Sequence, residues 1–289
     1  MPELPEVETI RRQLEPEITA RRILEARVLD ERWTRPESPR EVEKLIKGRT
    51  IEAVERRGKY LLLRLEGDRT LAMHLRMTGN LILDDGAEDP PYLRAELPLE
   101  DGRRLLFTDT RRFGHAVVLD DSELGDYFAA RLGVEPLSDS LTAEELCRRA
   151  AGRTAPLKSF LLNQLGVAGI GNIYADEALH RAELHPLSPA GSMKPEDCER
   201  LRVGIVGALE AGLRSGGASI DDYRDARGEQ GGMQDEFLVH TREGKPCPRC
   251  GADIKRIVVA GRSTYFCPNC QRRLRRRPRR RRTRARTTT

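Results

Sequence analysis

The sequence predicts an α+β protein built in successive parts: a β-rich first half, a helical second half and a small metal module at the end. Three observations carry this. Short apolar runs separated by Gly, Asp and Pro fill the first ~130 residues. Helical periodicity takes over from Ala143 to about residue 215. Two CxxC turns, Cys247-Pro-Arg-Cys250 and Cys267-Pro-Asn-Cys270, close the folded part. At 289 residues the chain is long enough for two modest domains plus such a module.

In chain order, Pro2-Glu3-Leu4-Pro5-Glu6-Val7-Glu8 reads in two ways. Proline and acids suit the first turn of an amphipathic helix. Equally, removal of Met1 exposes Pro2 as a terminal secondary amine, which titrates near ~7.7–8.0 and is therefore partly unprotonated at neutral pH. Such an amine attacks an aldehyde-level sugar carbon to give an iminium, with Glu3 placed to move protons. Strand-like runs follow at Leu61–Leu65, Thr70–Leu75, Leu81–Leu83, Arg104–Phe107 and Ala116–Leu119, giving a sandwich or barrel. Gly133 to Asp139 is linker-like, and Ser140 or Thr142 is placed to cap the helix beginning near Ala143.

A short helix is expected from Lys158 to Leu165, then a glycine-rich double turn through Gly166, Gly169 and Gly171. Asn172 is expected to cap the next helix, through Arg181, and Pro195–Leu213 forms a longer one stopped by Gly216-Gly217. Glycines before a helix N-terminus suit a phosphate backbone, and the same spacing also makes a tight helix–helix turn. No mononucleotide loop is present.

The CxxC pair is separated by sixteen residues, which is zinc-ribbon spacing: Cys247, Cys250, Cys267 and Cys270 converge on one structural ion with no open position. Cys147 and Cys198 fall in helical stretches and are read as buried apolar residues. No signal peptide and no apolar run near ~18 residues is found, so a soluble, reducing compartment without membrane contact is expected. Residues 271–289 hold eleven arginines and no acid, so the net charge of +5 becomes 5 − 11 = −6 for residues 1–270. The tail is expected to be disordered and drawn to phosphate without sequence preference. Basic clusters in the body are Arg56-Arg57-Gly58-Lys59, Arg103-Arg104 and Arg111-Arg112.

Taken together and in order, MPELPEVET, RRGKYLLL, HLRMTG, TDTRRFG, GVAGIGNIYADEAL and C-x2-C-x16-C-x2-C resemble the formamidopyrimidine-DNA glycosylase family over residues 1 to about 271. The resemblance implies a β-sandwich (1–134), a helix-two-turns-helix domain with a lesion-capping loop (135–236), a zinc finger (237–271) and a tail outside the family pattern (272–289). It implies a monomeric bacterial cytoplasmic enzyme of base excision repair that excises oxidised purines from double-stranded DNA and nicks the strand by β,δ-elimination.

By the same resemblance Pro2 is the nucleophile, Glu3 the proton donor and Glu6 their support. Lys59 moves protons in β-elimination and contacts phosphate, and Arg262 grips phosphates around the flipped nucleotide. Lys158, Asn172 and Arg153 contact DNA. Met77, Arg111 and Phe113 fill the hole left by the extruded base, as the physics of base flipping requires. Tyr92 stands where many relatives carry histidine and is expected to contact DNA through different chemistry, Phe237–Arg242 departs from the usual Val-Tyr-Gly-Arg, and the loop Ser219–Gln234 is expected to be mobile. Two other readings are an endonuclease VIII-type enzyme for oxidised pyrimidines, against which Leu4 speaks, and a non-catalytic DNA-binding zinc protein, against which Pro2, Glu3, Lys59 and Arg262 speak.

Overall fold

Pro5 in the first turn, with an N-terminal box in which the Glu3 and Glu6 side chains reach each other's backbone, starts helix α1 at Leu4–Ile18. The computed structural model describes residues 2–86, 88–220 and 222–275. Met1 and residues 276–289, where most of the arginine tail falls, lie outside these. The apolar side of α1 (Val7, Ile10, Leu14 and Ile18) is fully buried between two antiparallel sheets.

One sheet has the order β1-β6-β7-β5 (Arg27–Val28, Leu93–Pro98, Arg104–Asp109, Gly79–Asp84); the other is β2-β3-β4-β8 (Ile51–Arg57, Tyr60–Leu65, Arg69–His74, His115–Asp120). The expected sandwich is therefore present, and each predicted run lies in a strand. The sequence reading passed over the two-residue β1, over β2 and β6, whose apolar residues are interrupted by charged ones, and over two helices, α2 (Pro39–Ile46) and α3 (Asp121–Ala129). The start of α2 was legible: Ser38 and Glu41 form a capping box with Pro39 at the first position.

The helical half contains α4 (Ala143–Ala150), α5 (Leu157–Leu162), α6 (Asn172–Arg181) and α7 (Pro195–Arg214). Thr142 caps α4 through the Glu145 N–H, as one of the two expected residues. These helices share a second apolar core, into which Leu4 also projects. Cys147 and Cys198 correct the expectation of two separate apolar thiols. They lie on packed faces of α4 and α7, with Cα atoms 5.7 Å apart, and are joined as a disulfide.

The last part is a hairpin, β9 (Lys255–Val259) and β10 (Arg262–Phe266), carried on the CxxC turns. Ala260 and Gly261 both have positive φ (48° and 73°), the pattern of a two-residue I′ turn, which places Arg262 at the hairpin tip. Beyond the last cysteine the chain remains docked: Gln271 bonds the Leu184 carbonyl and Arg272 pairs with Asp197. Among the described residues no helix is long and apolar enough to cross a membrane.

Candidate nucleic-acid lesion site

Glu3 connects the two halves. Its carboxylate accepts hydrogen bonds from the backbone N–H groups of Gly171 (2.6 Å), Ile173 (2.9 Å) and Tyr174 (3.4 Å), at the N-terminus of α6. Those are the donors a helix start leaves unpaired, and the helix dipole favours an anion there. This corrects two expectations. Asn172 is the first residue of α6 rather than its cap; the cap comes from a side chain 168 residues away in sequence. The glycines of the double turn also make room for protein rather than for phosphate. A Cβ on Gly171 would lie 2.4 Å from the Glu3 carboxyl carbon, and one on Gly169 2.6 Å from Leu4.

Glu6 holds the same corner from below. It accepts from the Glu3 N–H (2.8 Å), the Tyr174 hydroxyl (2.7 Å) and the Ala218 N–H (2.8 Å). Burial raises its proton affinity and Glu3 adds to the effect, while these hydrogen bonds oppose it. Pro2 is buried, directly ahead of the Glu3 N–H that Glu6 holds.

Lys59 sits in the β2–β3 turn, which Gly58 makes possible at φ 57°. Glu135 clamps the turn through Arg56, Arg57 and the Gly58 N–H. Lys59 is only 5 % exposed. Burial lowers its pKa; Glu3 and Glu6 oppose this, and Arg262 and Arg76 add to it. A buried amine near two carboxylates and two guanidinia is tuned toward accepting and returning a proton.

A cleft of about 210 Å³ brings together Glu3, Met77, Asn172, Tyr223, His240 and Arg262, from both halves and the hairpin. Arg262 is exposed at its rim. The Asn172 amide donates to the Ser263 carbonyl at 3.1 Å, tying the start of α6 to the hairpin that carries Arg262, and its Oδ1 is buried with no partner among the described residues. Arg153 is exposed, near Phe160. Lys158 is different: its ammonium is fully buried, bonded to Asp176 (2.6 Å) and the Asn172 carbonyl (2.7 Å). The expected phosphate contact by an open amine is corrected accordingly, because this lysine is already committed inside the protein.

Met77, Arg111 and Phe113 lie on two adjacent loops. Phe113 is 53 % exposed, and the Arg111 guanidinium sits 5.0 Å from its ring centre. Phe113 is thus at a tip and not in a core. Tyr92 is also exposed, at φ 63°, with Arg94 5.9 Å from its ring centre. Of these residues Met77 lines the Glu3 cleft, whereas Tyr92 lines a separate cavity with Thr78, Asn80 and Asp222.

The capping loop is not the free segment expected from its glycines. Tyr223 and Ala226 are buried in the sandwich core. Asn80 bonds the Asp222 carbonyl and the Arg224 N–H, Gln13 bonds Asp225 and the Ala226 N–H, and Leu83 donates to the Ala226 carbonyl. Sequence reading also missed His240. Its Nδ1 bonds Asp176 at 2.8 Å, so Lys158, Asp176 and His240 form one buried chain ending at the cleft. The departure from the family pattern at Phe237–Arg242 was the available signal.

A histidine pair lies on β4 and β8 beside Tyr60, the residue that follows Lys59. His74 and His115 stack at 5.6 Å. Burial lowers both pKa values, with Arg76 adding, His74 well below the ordinary value and His115 to about 4. An unfolded histidine takes up its proton near ~6.5, so between about 6.5 and about 4 the unfolded chain binds more protons than the folded one. Stability therefore falls as pH drops through that window. His115→Gln should remove part of the slope, on the order of 1–2 kcal/mol by pH 4.5 after allowance for partial exposure of the ring. Urea denaturation at pH 7.0, 5.5 and 4.5 measures it. Identical slopes for both proteins would refute the assignment.

The four cysteine sulfurs lie within 4.8 Å of one another, with Cys247–Cys270 at 3.9 Å and Cys250–Cys267 at 3.5 Å. Tetrahedral zinc with Zn–S near 2.3 Å requires S···S near ~3.8 Å, so the donor set fits one structural ion.

Three family profiles match in order: the formamidopyrimidine-DNA glycosylase N-terminal domain over residues 1–116, its H2TH domain over 132–224, and the zinc finger found in FPG and IleRS over 244–273. Formamidopyrimidine-DNA glycosylase of Chloroflexus aggregans is 47% identical over 274 residues, covering 94% of this chain and 98% of that protein. The chain belongs to the formamidopyrimidine-DNA glycosylase family. The Roseiflexus enzyme of the same name is 46% identical over 277 residues, again covering 94% of this chain and 100% of the relative. Among solved structures, a Lactococcus lactis FPG mutant in complex with a Fapy-dG containing DNA superposes with a TM-score of 0.88 at 35% identity, covering 94% of this chain and 100% of that one. The Lactococcus lactis protein with an abasic-site-containing DNA gives a TM-score of 0.88 at 34% identity, with the same coverage.

Proposed function

We propose that this chain is a bifunctional DNA glycosylase and abasic-site lyase of base excision repair. Its substrate is double-stranded DNA carrying oxidised purines, 8-oxoguanine or formamidopyrimidines, or abasic sites. It binds one structural zinc and works as a monomer in the bacterial cytoplasm. The observation that supports the mechanism is the Glu3 bridge: the residue after Pro2 is held at the start of α6, with its charge and that of Arg262 both acting on Lys59. Relatives solved on Fapy-dG and abasic DNA support the substrate class.

In this reading the Pro2 amine gives its proton to Glu3 and attacks the sugar C1′. The C1′–base bond breaks, the base leaves with its electron pair, and Glu3 returns the proton to the sugar ring oxygen as the ring opens. The resulting iminium acidifies C2′–H. Lys59 takes that proton and the 3′ phosphate leaves; a second elimination releases the 5′ phosphate. Arg262, with Asn172 tied to its hairpin and Arg153 further along the backbone, carries the phosphates' negative charge, and water frees Pro2 from the sugar remnant. Met77, Arg111 and Phe113 occupy the vacated stack, which lowers the cost of holding the base outside it.

Borohydride tests the central intermediate, since hydride adds to C1′ of the iminium and leaves a stable tertiary amine linking the sugar to Pro2. Incubation with a duplex bearing one 8-oxoguanine should give a covalent complex whose N-terminal peptide carries the sugar on Pro2. Excision without any trapped complex would refute the iminium route.

A further inference from the structure

Asp109 is 1 % exposed, and among the described residues its carboxylate forms hydrogen bonds but no ion pair. It is a buried carboxylate whose position needs a reason, because burying a charge without partners is costly. All its partners lie in two loops. Oδ1 accepts from the Thr78 hydroxyl at 2.5 Å and from the Arg111 N–H at 3.1 Å; Oδ2 accepts from the Gly114 N–H at 2.7 Å. The Arg111 N–H also donates to the Thr78 hydroxyl oxygen at 3.1 Å. Thr78 follows Met77 directly, and Arg111 and Gly114 bracket Phe113. One side chain thus fastens the Met77 loop to the Arg111–Phe113 loop.

The surrounding glycines show how tightly this is built. A Cβ on Gly114 would lie 2.5 Å from the Phe107 ring and 3.1 Å from Asp109 Oδ2; one on Gly79 would lie 2.4 Å from the Leu75 carbonyl oxygen. Asp109 ends strand β7, and its own N–H donates to the Tyr92 carbonyl at 3.0 Å, so the fastening point is anchored to the sheet.

We infer that Asp109 is a positioning residue that holds the Met77 and Arg111–Phe113 loops as one rigid wedge, so that both enter the duplex together. The inference rests on the proposed role of those three residues in filling the stack. A side chain entering a base stack must be presented without further ordering, since each loop left free would have to be ordered at the moment of extrusion. Asp109 itself touches no substrate.

Asp109→Asn keeps the shape but replaces one acceptor oxygen with a donor, which opposes either the Thr78–Arg111 side or the Gly114 side. Thr78→Val breaks the link from the other loop and serves if the first variant folds poorly. Each is compared with the unaltered protein and with Phe113→Ala on two duplexes, one holding paired 8-oxoguanine and one holding an abasic site. A 2-aminopurine next to the lesion reports unstacking by fluorescence. The expected result is a fall of about tenfold or more in unstacking and base excision with Asp109→Asn or Thr78→Val. Abasic-site nicking and borohydride trapping should stay within about twofold, because no base has to be extruded. Equal losses on both duplexes, or normal unstacking with either folded variant, would overturn the inference. If Phe113→Ala is also normal on the paired lesion, the wedge reading itself fails. Absence of excision and trapping by the unaltered protein would instead defeat the proposed function.

Discussion

A chain extended by one residue ahead of Pro2 should bind lesion DNA yet form no borohydride-trapped complex. The extension converts the Pro2 nitrogen to a tertiary amide whose lone pair is delocalised into the carbonyl, so it cannot attack C1′. Binding should survive, because the phosphate contacts proposed for Arg262, Arg153 and Asn172 lie outside residue 2. The loss should be the largest of any single change, on the order of 10³-fold or more in single-turnover excision, since both glycosylase and lyase steps pass through the same nitrogen. Pro2→Gly with a free terminus should retain trapping at a reduced rate, a primary amine being a competent but differently held nucleophile. Intact-mass measurement must accompany the assay. Active protein whose N-terminus is shown to be blocked or extended would remove Pro2 from the mechanism.

The geometry around residue 2 explains why the sequence alone left its reading open. Pro5 and the Glu3–Glu6 box do start helix α1, so the structural reading of those residues is true. The catalytic reading is also compatible, because the residues ahead of the helix are held at the cleft by the start of α6. That pairing spans 168 positions, and local pattern carries no trace of it. The glycines of the double turn show the same limit. Their presence was legible, but only the packed structure shows that Leu4 and Glu3 fill the space they leave.

Elements whose cause is local were read correctly: the apolar runs of the sandwich, the Thr142 cap and the CxxC turns. Elements whose cause is a long-range partner were not. Lys158 looks like a surface cation until Asp176, Asn172 and His240 close around it. Glycine content suggested a mobile capping loop, yet Asn80 and Gln13, far away in sequence, hold it down. Cys147 and Cys198 sit 51 residues apart, and only the packing of α4 on α7 brings them together.

Cys247→Ser should release zinc and, with it, most of the affinity for DNA. The buried apolar cluster of the C-terminal module consists of only Val239, Cys247, Ile254 and Cys267, two of which are themselves metal ligands. So small a core cannot fold the hairpin alone, and a structural zinc contributes about 10–16 kcal/mol in comparable modules. Losing the ion therefore frees β9 and β10 and removes Arg262 from the rim of the cleft; the Asn172–Ser263 hydrogen bond that ties the hairpin to α6 goes too. The sandwich and helical cores share no ligand with this module, so they should stay folded. Affinity for a duplex with an abasic-site analogue should drop by about 100-fold or more, and Arg262→Ala, which keeps its zinc, should lose less. Because the ion acts largely by placing Arg262, adding Arg262→Ala to Cys247→Ser should cause little further loss, a non-additivity that a double-mutant cycle reads directly. Zinc content and binding measured on the same samples decide the matter: metal-free protein with undiminished affinity, or fully additive losses, would show that the zinc does not work through Arg262.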